Sequence, residues 1–412
     1  MINYNIHRLE NGLTLIHHPD FNTSLCVTNL LYNVGARDEQ SDKTGFAHLF
    51  EHLMFGGSVN IPSFDTPLQK ASGENNAFTN NDITNYYITL PAENIETALW
   101  LESDRMLRLD FSEKSLNVQK GVVIEEFKQR YLNQPYGDAW LQLRPMAYKA
   151  HPYNWATIGK DISHVEIAKL EDVVAFFDTF YNPSNAVLCI AGKIDFETAK
   201  QLTEKWFGDI PAGPVNKNNY PVEPVPTERI EKTIAADVPQ KAIYLAFQMV
   251  ERNHEHYYAF DLLSDILSKS ESSRFTEILV KQKGIFNQVD AYITGDIDKG
   301  LFVIEGKITD NASFEEAEAA VFEIINEIGL NSVSGAELEK VKNKAMTSNL
   351  FGKTQVLNKA MSLCYGFNIG RVNLINEETE IIRAVSADDI KNICINYLLK
   401  NNHSVLKYLP TK

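Results

Sequence analysis

The sequence predicts an α+β protein of two duplicated domains, each an antiparallel or mixed β-sheet flanked by helices. Three observations carry this. β-rich runs alternate with helix-period segments over 412 residues, a length suited to about two to three domains. The order of strands and helices in the first half recurs in the second. Between the halves, Pro211, Pro214, Pro221, Pro224 and Pro226 lie among Asn and Lys, the composition of a stiff, exposed linker. The expected boundaries are 1–210, a linker at 211–227, and 228–412.

The elements follow in order. Asn11-Gly12 marks a hairpin, and Leu13–Ile16 and Leu25–Tyr32 are β-rich. A short apolar helix around residues 46–53 comes next. Asn76-Ala77-Phe78-Thr79 precedes a strand at Asn85–Leu90. Ile95, Leu99, Trp100, Met106 and Leu107 suit a helix over 92–109. Ser112 is a fitting N-cap for another over 113–131. Residues 165–180 read as one helix stopped near Asn182-Pro183, Ala186–Gly192 as a buried strand, and 195–207 as a helix. In the second half, Ala242–Phe247 and Leu301–Gly306 read as strands. Residues 255–267, 314–328 and 335–349 read as helices.

Composition is that of a globular protein, 44% hydrophobic and 23% charged. The formal net charge of −15 disfavours nucleic acid and anionic membrane as partners and is compatible with basic peptides. Cys26, Cys189, Cys364 and Cys394 are far apart in apolar surroundings, which reads as reduced core thiols in a reducing compartment. No apolar leader core opens the chain, and no run reaches the length of a membrane helix. The expected compartment is the cytoplasm.

His48-Leu49-Phe50-Glu51-His52 carries the chemistry. Four residues apart on a helix, His48 and His52 share one face and can bind one metal ion. Glu51 lies at the edge of that face, close enough to act on water at the metal without being a ligand. This His-x-x-Glu-His order is the inverzincin signature. Phe46, Leu49, Phe50, Leu53, Met54 and Phe55 make the helix largely apolar, and polar groups buried there need partners. A catalytic zinc takes three protein ligands. The 113–131 helix offers Glu125 and Glu126, which point about 100° apart, so only one can face the site. The second half has no such motif. In His254-Glu255-His256, helical i, i+2 spacing would point the rings apart.

Over nearly its whole length the chain resembles pitrilysin-type inverzincin zinc peptidases of the mitochondrial-processing-peptidase-like branch. The resemblance rests on Gly45–Ser58, Gly73–Tyr87, Val122–Phe127, His151-Pro152-Tyr153 with Ile158-Gly159, and Tyr181–Gly192. It implies one Zn²⁺ per chain held by His48, His52 and Glu126, which stands 74 residues beyond His52. It also implies Glu51 as general base and an endopeptidase acting on peptides or unfolded segments in an enclosed clam-shell chamber. Asn76, Ala77, Phe78 and Thr79 match the family's edge strand, whose free N–H and C=O groups can pair with an extended substrate.

Two departures matter. Gln119 stands where the family has an outer-shell glutamate, followed by Lys120 rather than Arg. Val280 and Asn287 stand where active single-type members carry an arginine and a tyrosine that hold substrate and oxyanion. The resemblance therefore points to the zinc-bearing member of a heterodimer whose distinct partner supplies that pair. The competing readings are a non-catalytic structural subunit and a peptide-binding module.

Overall fold

The computed structural model describes residues 1–217 and 219–411; residue 218, inside the expected linker, and residue 412 lie outside the described residues. The chain forms two compact units, each built on one mixed sheet with helices against it.

The first sheet has six strands: β1 (Asn5–Arg8), β2 (Thr14–Pro19), β3 (Leu25–Tyr32), β4 (Glu74–Thr79), β5 (Thr84–Pro91) and β6 (Ala186–Gly192). Their spatial order is β1-β2-β6-β3-β5-β4, so β4 is an edge. The second sheet has β7 (Ile230–Ala236), β8 (Ala242–Gln248), β9 (Phe286–Ile293), β10 (Leu301–Ile308) and β11 (Ser404–Pro410), in the order β7-β11-β8-β10-β9. Without β1, the two sheets superimpose in topology. In each, the last strand inserts between the first two, parallel to one and antiparallel to the other. The duplication read from element order is therefore present strand by strand. β7, β9 and β11 carried no reading from the sequence.

The units do not follow the 210/228 boundary. The first comprises 1–128, 155–220 and 350–377; the second comprises 129–154, 221–349 and 378–412. Each sheet has two apolar faces, and one face is covered by a helix from the other half of the sequence. In the first unit, Ala360, Leu363 and Cys364 of the helix Val356–Asn368 pack on Ile16, Val27, Leu31, Val187 and Cys189. In the second, Ala139, Leu143 and Met146 of the helix Ala139–Ala147 pack on Ala242, Tyr244, Leu406 and Tyr408. Leaving those faces in water would forgo roughly 25 cal/mol per Å².

Several expected helices differ at their ends. The 165–180 reading splits into Ile162–Glu166 and Leu170–Phe180, because Lys169 is extended and caps the second piece. The 113–131 helix keeps α geometry to Phe127 and widens over Lys128–Leu132. The 255–267 helix begins at Tyr257. His254 and His256 therefore lie in a turn, with ring centroids 5.1 Å apart rather than pointing away from each other. All four cysteines are buried and free. No helix among the described residues is long and apolar enough to cross a membrane.

Candidate metal centre

The helix Phe46–Leu53 supplies both histidines. Phe46, Leu49, Phe50 and Leu53 are buried. Phe50 stacks between Phe176 at 5.1 Å and Tyr181 at 5.0 Å. That packing turns the opposite face, with His48, Glu51 and His52, outward, where all three are partly exposed. Gly45 begins the helix at φ 89°, a left-handed conformation that favours glycine. A Cβ there would also meet the Ile158 carbonyl at 2.7 Å. Glycine has no side chain with which to cap the helix. Instead the Glu39 carboxylate accepts the N–H of Gly45 at 2.9 Å and of Ala47 at 2.8 Å.

The helix Glu113–Phe127 supplies the third group. Ser112 caps it, its Oγ accepting the Ser115 N–H at 3.2 Å. Leu116, Val123 and Phe127 face the core. Their rotation decides between the adjacent glutamates: Glu125 is exposed, and Glu126 turns to the histidines. Glu126 Oε2 lies 3.6 Å from His48 Nε2 and 3.4 Å from His52 Nε2. The ligand atoms of His48, His52 and Glu126 all fall within 4.8 Å of one another, the only such group among the described residues. These separations exceed a hydrogen bond. They match the spacing of about 3.3 Å between two atoms each about 2.0–2.1 Å from one tetrahedral ion. Two neutral imidazoles and a carboxylate are also a donor set of catalytic zinc. The residues therefore fit the metal.

Glu51, on the same helix and next to His52 in the chain, is partly buried. Burial above all pushes the Tyr86 and Tyr181 phenols upward, with the Glu51 charge a smaller contributor to both, so two neutral tyrosines lie near it. Asn76, Ala77, Phe78 and Thr79 form most of β4, paired on one side only, to β5. The Ala77 N–H turns to Asn76 Oδ1 at 2.8 Å, so it faces the open edge. Gln119 lies on the same helix as Glu126, two turns away and partly exposed. Val280 is half-buried against the second unit's core. Asn287 Nδ2 donates to Gln240 Oε1 at 2.6 Å, at the start of β9. Neither position offers a cationic or phenolic donor.

Two supports had no sequence signal. Arg105 is 1% exposed and forms two hydrogen bonds, 2.7 and 2.6 Å, with the fully buried Glu102. Its guanidinium lies over Tyr86 at 4.3 Å and Phe64 at 4.6 Å, beneath the loop that leaves the histidine helix. On a helix, an i, i+3 charge pair ordinarily reads as surface. The second support is Glu39, six residues before Gly45 and outside any local capping pattern.

Residues 15–158 match the model described as insulinase, peptidase family M16, and residues 168–345 match that of the peptidase M16 inactive domain. The chain belongs to the M16 peptidase family. It is 27% identical to the zinc protease PqqE of Helicobacter pylori over 347 residues, covering 81% of this chain and 76% of the relative. It is 25% identical to mitochondrial-processing peptidase subunit beta of Saccharomyces cerevisiae over 423 residues, 96% and 88% of the two chains. Its fold is shared with a protease from Helicobacter pylori, at TM-score 0.92, 23% identity and full coverage of both chains. It also matches pitrilysin at TM-score 0.80 and 16% identity, covering all of this chain and 45% of that one. One of these relatives is thus named a zinc protease, and the fold is shared with solved protease structures.

Proposed function

We propose that this M16 member is a zinc-dependent endopeptidase of the mitochondrial-processing-peptidase-like branch, acting as the zinc-bearing subunit. The carrying observation is the convergence of His48, His52 and Glu126 with Glu51 alongside. His48, His52 and Glu126 would hold the ion. Bound there, zinc polarises a peptide carbonyl and makes water more acidic. Glu51 takes the proton from the attacking water and returns it to the departing amine. The open edge of β4 holds an extended peptide by backbone pairing, which reads little side-chain identity and suits varied substrates.

Val280 and Asn287 support a split site. The chain has no arginine or tyrosine at those positions for the developing oxyanion, so a distinct partner supplies them. The same two residues favour the second reading, a non-catalytic subunit of the same fold. A third, a peptide-binding module, would use β4 without Glu51.

The test is zinc content together with cleavage of a quenched fluorescent peptide library, by the chain alone and mixed with a candidate partner carrying the Arg/Tyr pair. One zinc per chain with activity only in the mixture is expected. Full activity alone would refute the split site. Neither zinc nor activity would move the reading to the non-catalytic subunit.

A further inference from the structure

The histidine helix has eight residues, and so short a helix is marginal without outside support. A helix leaves its first four N–H groups without internal partners. Here Glu39 takes two of them, those of Gly45 and Ala47, one on each side of Phe46. His48 follows directly, with Glu51 and His52 one turn later. Glu39 itself is 7% exposed. Burial pushes its carboxyl up to about 8, against the pull of the two amide bonds.

The loop that carries Glu39 is tied down independently. The Ala36 and Arg37 N–H groups donate to the carbonyls of Asn80 and Asn81 at 3.1 and 2.9 Å. Those two residues form the turn that leaves β4. Arg37 pairs with Asp82 at 2.8 Å, and both are buried. The Trp155 indole donates to the Ala36 carbonyl at 2.9 Å. A Cβ at Gly35 would stand 2.5 Å from the Asn81 backbone, so this approach requires glycine. One short loop therefore joins the end of the edge strand to the first turn of the ligand helix, and Glu39 is its last link.

We propose that Glu39 is a positioning residue: it sets the rotation and height of the 46–53 helix relative to β4, and so aims His48, His52 and Glu51. The inference rests on the metal reading above. Glu39→Gln keeps the size but places an NH₂ where one backbone N–H needs an acceptor. Glu223→Gln is the control. That buried carboxylate accepts the N–H groups of Lys149, Ala150 and His151 at 2.8–2.9 Å in the second unit.

The measurements are zinc affinity, by competition with a chromophoric chelator, and amide hydrogen exchange across 46–53. Glu39→Gln is expected to weaken zinc about 10- to 100-fold, the range for groups that orient ligands, and to speed exchange in the first turn. Glu223→Gln should leave both within about twofold of the parent, a bound well below that range. Zinc affinity and exchange unchanged in Glu39→Gln would overturn the proposal. If the parent chain binds no zinc, the metal reading has failed. Exchange then decides for Glu39: faster in 46–49 supports the positioning role, and unchanged overturns it. Should Glu39→Gln not fold, Trp155→Phe loosens the same loop and is judged by the same two measurements.

Discussion

Glu126→Asp tests the centre most sharply, because it keeps the charge and removes reach. One methylene fewer withdraws the carboxylate by about 1.5 Å. Oε2, now 3.4 and 3.6 Å from His52 and His48, would move to about 5 Å. Two ligands about 2.1 Å from one ion can stand at most about 4.2 Å apart. The aspartate therefore falls out of the set. Four-ligand zinc sites yield roughly 10–16 kcal/mol, so one ligand contributes about 3–4 kcal/mol, or about a hundred- to a thousandfold in affinity. Chelator competition reads this directly, with circular dichroism to show that the fold persists. Glu125→Ala, at the neighbouring position but exposed, should change nothing. Glu126→Asp binding zinc within about threefold of the parent, against the expected hundredfold, would refute the assignment. So would a larger loss in Glu125→Ala.

Glu51→Gln should keep its zinc and lose about 10²- to 10⁴-fold in peptide cleavage, the range for a general base; parental turnover would remove Glu51 from that role. Ala77→Pro deletes an N–H that faces the open edge of β4 and spares the ladder, so KM should rise about two- to tenfold, one hydrogen bond's contribution. An unchanged KM would mean peptides do not pair there. Burial above all, and then the Asp265 charge, pushes the Asp261 carboxyl up to about 6 from 3.8, with Lys269 and Arg252 pulling it down and Glu378 adding to the rise. The folded state thus holds this proton more tightly. Its stabilising contribution is complete below the unfolded value and is lost as pH rises toward 6, up to about 3 kcal/mol in all. Urea midpoints across that window should shift less in Asp261→Asn than in the parent; an equal shift would discount Asp261.

The sequence made the histidine pair readable because both residues sit on one helix, where backbone geometry alone sets their separation. The Ser112 cap was readable for the same local reason, and the edge strand at Asn76–Thr79 only through the family resemblance. Spacing left open the choice between Glu125 and Glu126, which the family resemblance gave to Glu126. That choice depends on which side of their helix is buried, and Leu116, Val123 and Phe127 answer that only when packed. Glu39, Glu102 and Arg105 were missed because charged residues ordinarily lie at the surface. Each is buried here against a specific donor or acceptor. The break at Lys169 and the turn before Tyr257 reflect tertiary demands that interrupt otherwise helical patterns.

By itself, then, the sequence determined what lies within a few residues: the i, i+4 histidine pair, the place of Glu51 beside His52, the alternation of elements and their repetition. Tertiary structure decided the rest. Glu126 meets the histidines across 74 residues of chain. The helices 139–147 and 356–368 cover the opposite half's sheet, and Glu39 reaches across to hold the histidine helix. Hydrogen bonds three or four residues apart write their periodicity into the sequence. Burial of a face or of a charge depends on which surface the fold brings against it, and no local pattern encodes that partner.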